Sequence, residues 1–161
     1  MARIRLTSLP PAVLGIFREA LRLILRRPVV GVAVAARTPD GKWLLIRRGD
    51  TGTWALPGGT LEWGETFRQL IARELWEEAG VRVRSIGRLV GVFSRPDRDM
   101  RFHGVTVVVA CDVELPSQPP ANALEIEEVG MFTDAEVPTE LAMGTGDMLE
   151  AARAGLEGVL E

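Results

Sequence analysis

The sequence predicts a mixed α/β domain built in layers. The chain of 161 residues is 47% hydrophobic, enough for one core and too short for two. Strand-like segments surround one central helix, and a helical tail follows; that order belongs to a layered α/β domain rather than an all-α or all-β one.

Ahead of the domain, Pro11–Arg27 places Val13, Leu14, Phe17, Leu21, Ile24 and Leu25 at helical spacing with arginines elsewhere on the wheel. Residues 1–28 are therefore expected to form an amphipathic extension, with the main domain over 29–161. Arg18 and Glu19 interrupt the apolar run, unlike a secretory signal. Its apolar stripe suits packing on the domain or on a second subunit, which predicts a homodimer, or lying on an anionic membrane surface.

Pro28 ends that helix, and the β-branched run Val29–Ala36 reads as a buried strand. Thr38-Pro39-Asp40-Gly41 turns the chain, and Trp43–Arg47 returns as the second strand of a hairpin. Thr66-Phe67-Arg68-Gln69 has the form of a capping box, opening a helix that runs to Ala79 and stops at Gly80. Arg88–Ser94 and Gly104–Glu114 read as strands around a charged stretch. Pro116–Ala123 reads as a loop and Val129–Phe132 as a short strand, while Asp134–Leu141 and Asp147–Leu160 are expected to be helices.

The net charge of −3 conceals a gradient. Residues 1–28 carry six Arg and one Glu, and residues 112–161 carry one Arg and twelve acids. No basic and aromatic reading module points to nucleic acid, and no apolar run is long enough to span a bilayer. The single cysteine, Cys111, sits in an apolar run and reads as a core residue in a reduced, cytoplasmic setting.

Chemistry concentrates in Gly59-Thr60-Leu61-Glu62-Trp63-Gly64-Glu65, then seven residues, then Arg73-Glu74-Leu75-Trp76-Glu77-Glu78-Ala79-Gly80-Val81. Glu74 and Glu78 are four residues apart and stack on one helix face, with Glu77 beside them. Like charges at that spacing repel, and the helix C-terminus disfavours acids further. Divalent cations would remove the penalty, and an all-oxygen donor set suits magnesium or manganese. Leu56-Pro57-Gly58-Gly59 lets backbone approach closely and turn a carbonyl toward such an ion. Glu65 stands within reach of Arg73, a pair suited to hold the loop against the helix.

These residues resemble, without a gap or mismatch, the Nudix signature of glycine, five residues, glutamate, seven residues and the Arg-Glu-aliphatic-x-Glu-Glu-x-Gly-aliphatic run. The resemblance extends over roughly Val29 to Leu141 and implies an α/β/α sandwich, with a mixed sheet between helices. It also implies hydrolysis of a nucleoside diphosphate linked to another group. Carried over residue by residue, it implies metal ligation by Glu74, Glu77, Glu78 and the Gly58 carbonyl, with Gly59, Glu65, Arg73 and Gly80 as scaffold. A carboxylate that takes the proton from the attacking water would come from Glu125, Glu127 or Glu128, or from Glu74 itself.

For the substrate, Ser94–His103 packs three Arg, two Asp and the lone His between two strands. Arg98, Arg101 and His103 are candidates for phosphate or ribose contacts, and Arg47 and Arg48, ending the hairpin, could also face the substrate. Phe93, Phe102 and Trp54 are candidates for stacking on a base, although aromatics in strands more often serve the core. The segment resembles the corresponding loop of ADP-ribose and nucleoside diphosphate sugar pyrophosphatases, and Pro96, sixteen residues after Gly80, agrees. Alternatives are a hydrolase of oxidised nucleoside triphosphates and a Nudix domain that binds a ligand without turnover.

Overall fold

A computed structural model of the chain describes Gly15, Ile16, Arg18 and residues 27–161 apart from Met100, Arg101 and Met143. The expected amphipathic helix, the dimer built on it and the position of Arg101 lie outside the described residues.

The hairpin forms as expected, with β1 at Val29–Arg37 and β2 at Trp43–Arg48, but the strands stay paired only near the turn, at Arg37 and Trp43. Beyond it they separate, and the returning chain fills the gap. It pairs first with β2 as the short β3, Trp54–Ala55, and then with β1 through Pro57, Gly59 and Leu61. This crossing segment carries Gly58 and Gly59 into the middle of the sheet.

Helix α1, Phe67–Ala79, opens on a complete capping box between Thr66 and Gln69. It ends at Gly80 in the left-handed region, with Gly80 and Val81 amides returning to the Trp76 and Leu75 carbonyls. The next strands are β4, Val83–Phe93, and β5, Gly104–Val113; β5 runs antiparallel to β4 and parallel to β1, so the sheet is mixed. Strand β6, Ile126–Phe132, adds along the full length of β2, giving seven strands once β7, Val159–Leu160, joins β4.

Alternation along the central strands divides the core in two. Val32, Val34, Leu44 and Ile46 meet Leu70, Ile71 and Leu75 of α1 on one face. Ala33, Ala35, Trp43 and Leu45 meet Met148, Leu149 and Ala152 of α2, Thr145–Arg153, on the other. The result is a helix on each side of a mixed sheet, the α/β/α sandwich. Cys111 is buried in the α1-side core, and burial pushes its thiol up to about 11.

Two expected helices are corrected. Asp134–Leu141 is turn and extended chain: Pro138 lies within it, Glu136 accepts from the Thr133 amide and hydroxyl, and the Glu140 carbonyl accepts from the Trp54 amide. The last helix stops at Arg153 because Gly155 and Gly158 adopt positive φ, and residues 159–160 then pair as a strand. No helix among the described residues is long and apolar enough to cross a membrane.

Leu75 is fully buried between α1 and the sheet. Leu75→Ala is expected to lower unfolding free energy by about 2–5 kcal/mol in urea titration, with the slope unchanged; a loss below about 1 kcal/mol would contradict the packing described.

Candidate active site

A cleft of about 370 Å³ opens where the crossing segment meets β1 and the end of β5. Gly58, Gly59, Glu74 and Glu78 line one part of it, with Arg48 and Glu125 beside them. Arg98, Asp99, Phe102, Thr145 and Met148 line another part.

Glu74 and Glu78 are buried, at 9% and 7% exposure, on the same helix that fills the core. The two glycines make room for them. A Cβ on Gly59 would run into the Glu74 carboxylate, and one on Gly58, whose φ is +155°, would run into the Val32 carbonyl. The Gly58 amide donates to Glu78 Oε2 at 2.7 Å. The carbonyls of Pro57 and Gly59 accept from β1 amides, so in this extended segment the intervening Gly58 presents its backbone to the other side, toward the glutamates.

Arg73 organises the acids around it. Its guanidinium grips Glu65 through Nε and a second nitrogen, at 2.9 and 3.2 Å, and donates to Glu74 at 2.9 Å and Glu77 at 3.3 Å. It thereby ties the loop before α1 to the helix and holds the Glu65 carboxyl below the usual carboxylate range. Burial has the opposite effect on Glu74 and Glu78. It raises Glu74, and it pushes Glu78 up to about 8, with the neighbouring Glu74 and Glu125 carboxylates adding to the rise.

The donor set is entirely oxygen, two carboxyl groups and a backbone carbonyl, the chemistry that a hard divalent cation satisfies. Among the described residues, no three acidic, histidine or cysteine side chains converge on one point. Glu74 is engaged by Arg73 and Glu78 by the Gly58 amide, so the carboxylates would exchange these partners for an ion.

The remaining sequence candidates separate. Glu77 stays half-exposed on Arg73. Glu125 lies in the cleft, whereas Glu127 and Glu128 face Arg47, at 3.7 and 3.8 Å. Arg47 also donates to the Gly52 carbonyl and does not line the cleft. Its neighbour Arg48 does, because successive residues of a strand face opposite sides. Arg98 is in the cleft wall but is engaged by Glu161 and Asp147, and His103 Nε2 lies 2.8 Å from the Ser94 carbonyl, away from the cleft lining. Of the aromatics, Trp54 packs edge-on against Phe132 and Phe93 is buried under Arg98, while Phe102 lines the cleft.

A model of the NUDIX domain matches residues 26–152. A MutT-like protein of Streptomyces ambofaciens is 45% identical over 82 residues, covering 51% of this chain and 50% of its own. An ADP-ribose pyrophosphatase of Methanocaldococcus jannaschii is 44% identical over 77 residues, covering 46% and 45%. The chain thus spans about half the length of the curated relatives it matches. Among solved structures, a MutT NUDIX hydrolase of Burkholderia pseudomallei superposes with a TM-score of 0.66 at 30% identity, covering 78% of this chain and 98% of its own.

The raised Glu78 carboxyl has a consequence for stability. An acid whose pKa is higher in the folded state keeps a proton that the unfolded chain has released, so stability falls as pH rises from about 4.5 to about 8. In chelator-treated protein, Tm is expected to fall between pH 5 and 8, and Glu78→Gln, which has nothing to ionise, to flatten that slope. Equal slopes for the two proteins would contradict the burial of this carboxyl.

Proposed function

The chain belongs to the NUDIX family, and we propose that it is a pyrophosphohydrolase, dependent on magnesium or manganese, that cleaves ADP-ribose or a related nucleoside diphosphate sugar to a nucleoside monophosphate and a sugar phosphate. The observation that carries this reading is the burial of Glu74 and Glu78 side by side in a cleft with Glu125. Carboxylates so placed are costly without a counter-charge, and a pyrophosphate substrate brings its own need for cations.

In this reading Glu74, Glu78 and the Gly58 carbonyl would hold the metal, while Glu77 stays on Arg73. When bound, divalent metal neutralises diphosphate charge and lowers the pKa of bound water. The protein's own part is mainly positioning. Arg73 fixes the loop and helix relative to each other, and the two glycines let the loop pack against β1 and the Glu74 carboxylate. Glu125, in the cleft and outside the α1 cluster, accepts the proton of the attacking water. Arg48 supplies positive charge on the same side of the cleft. The ADP-ribose reading draws on the archaeal relative and on the Arg98–Phe102 side of the cleft, which offers an aromatic face beyond the diphosphate.

Turnover of ADP-ribose, UDP-glucose, GDP-mannose and oxidised dGTP, read as phosphate released by a coupled phosphatase, tests the proposal. A diphosphate sugar is expected to be hydrolysed with magnesium or manganese and not with chelator. Glu78→Gln is expected to lower kcat at least about a hundredfold. Preference for oxidised dGTP would move the substrate to the triphosphate class, and no turnover of any compound would favour a ligand-binding domain.

A further inference from the structure

The end of the chain docks beside the cleft. Gly158 donates to the Leu89 carbonyl, β7 pairs with Gly91 and Val92, and the Glu161 amide donates to the Val92 carbonyl. Gly91 permits this approach, since a Cβ there would run into the Val159 carbonyl. The pairing delivers Glu161 to the loop that follows β4.

There its carboxylate accepts from the backbone amides of Ser94 and Arg95, both at 2.8 Å. It also accepts from Nε of Arg98 at 3.1 Å and from a terminal nitrogen of the same guanidinium. Asp147 of α2 meets the same terminal nitrogen of Arg98, at 3.0 Å. These donors hold the Glu161 carboxyl down to about 2, so it is ionised at any physiological pH. The Arg98 side chain is only 9% exposed and lines the cleft together with Asp99.

Nε and one terminal nitrogen of this arginine are thereby committed to carboxylates, and the other terminal nitrogen lies 3.5 Å from the Gly144 carbonyl. Its geometry suits a bolt between loop, tail and α2. We propose that Glu161 is a positioning residue for substrate binding: through Arg98 and the amides of Ser94 and Arg95 it fixes the loop after β4, and so fixes the wall of the cleft that meets the substrate beyond its diphosphate. The proposal rests on the hydrolase reading above. It assigns to the acidic tail a role in affinity, separate from the glutamates of α1, and no direct contact with the reacting atoms.

Steady-state kinetics on ADP-ribose, or on whichever diphosphate sugar the wild type prefers, and amide hydrogen exchange test this in the full chain. In Glu161→Gln, KM is expected to rise about tenfold with kcat within about twofold, because a loosened wall weakens binding without touching the chemical step. Exchange at Ser94 and Arg95 is expected to quicken at least about tenfold. Arg98→Lys, which keeps the charge and loses the fork, is expected to act in the same direction, and the double variant to be no worse than Glu161→Gln alone. Wild-type KM in Glu161→Gln overturns the proposal, whether or not exchange quickens. A loss confined to kcat, or fully additive effects of the two substitutions, also overturns it. Failure of the hydrolase reading is distinct: the wild type itself then turns nothing over, and both readings fall.

Discussion

Glu74 and Glu78 are buried on a helix whose opposite face is hydrophobic core, and the surrounding structure is arranged to accommodate them. A carboxylate removed from water needs donors, counter-charge or a proton. The Gly58 amide serves Glu78, Arg73 serves Glu74, and the raised position of Glu78 shows that the compensation is incomplete. Room for these groups exists because β1 and β2 separate beyond their turn, and because the segment inserted between them carries glycine at the two positions facing the acids and the β1 backbone. A helix stabilised by Leu70, Ile71 and Leu75 alone would tolerate many polar residues on its cleft side; one that must bury two acids against a glycine loop has a single arrangement.

The charge gradient along the chain acquires a physical meaning from the same structure. Five of the twelve acids in the last fifty residues face arginines. Asp134 takes the Trp43 indole and pairs with Arg37 and Arg153. Glu127 and Glu128 flank Arg47, and Asp147 and Glu161 enclose Arg98. Many of these pairs are exposed, and each contributes little to stability alone. Their common effect is to fasten the later chain to the hairpin and to the loop after β4. Glu125 stands apart, since it faces the cleft.

Local chemistry was legible in the sequence where a few adjacent residues decide it. The capping box at Thr66 and Gln69 and the stop at Gly80 mark α1 almost to the residue, and the period-two alternation of β1 and β2 separates the two cores. The Glu65–Arg73 bridge followed from an eight-residue separation that lets the loop before the helix fold back onto it. What depends on distant partners was not legible. In residues 134–141 Pro138 was a local signal against a helix, but the claim of Trp54 on the Glu140 carbonyl was not legible, and the final turn is drawn into a strand by a gap at Gly91. Likewise, Arg47 and Arg48 are equivalent as neighbours in sequence, and only the facing of β2 assigns one to Glu127 and Glu128 and the other to the cleft. Arg98 reads as a phosphate ligand in its own loop, because the carboxylate that occupies it lies 63 residues away.

The buried acids of α1 are expected to hold a divalent cation, and anomalous diffraction from crystals soaked in manganese is the direct test of that role. A manganese peak is expected, bounded by the Glu74 and Glu78 carboxylates and the Gly58 carbonyl, with Glu78 turned from the Gly58 amide toward the ion. Saturating manganese with no peak at these residues, and Glu78 still on the Gly58 amide, would contradict it.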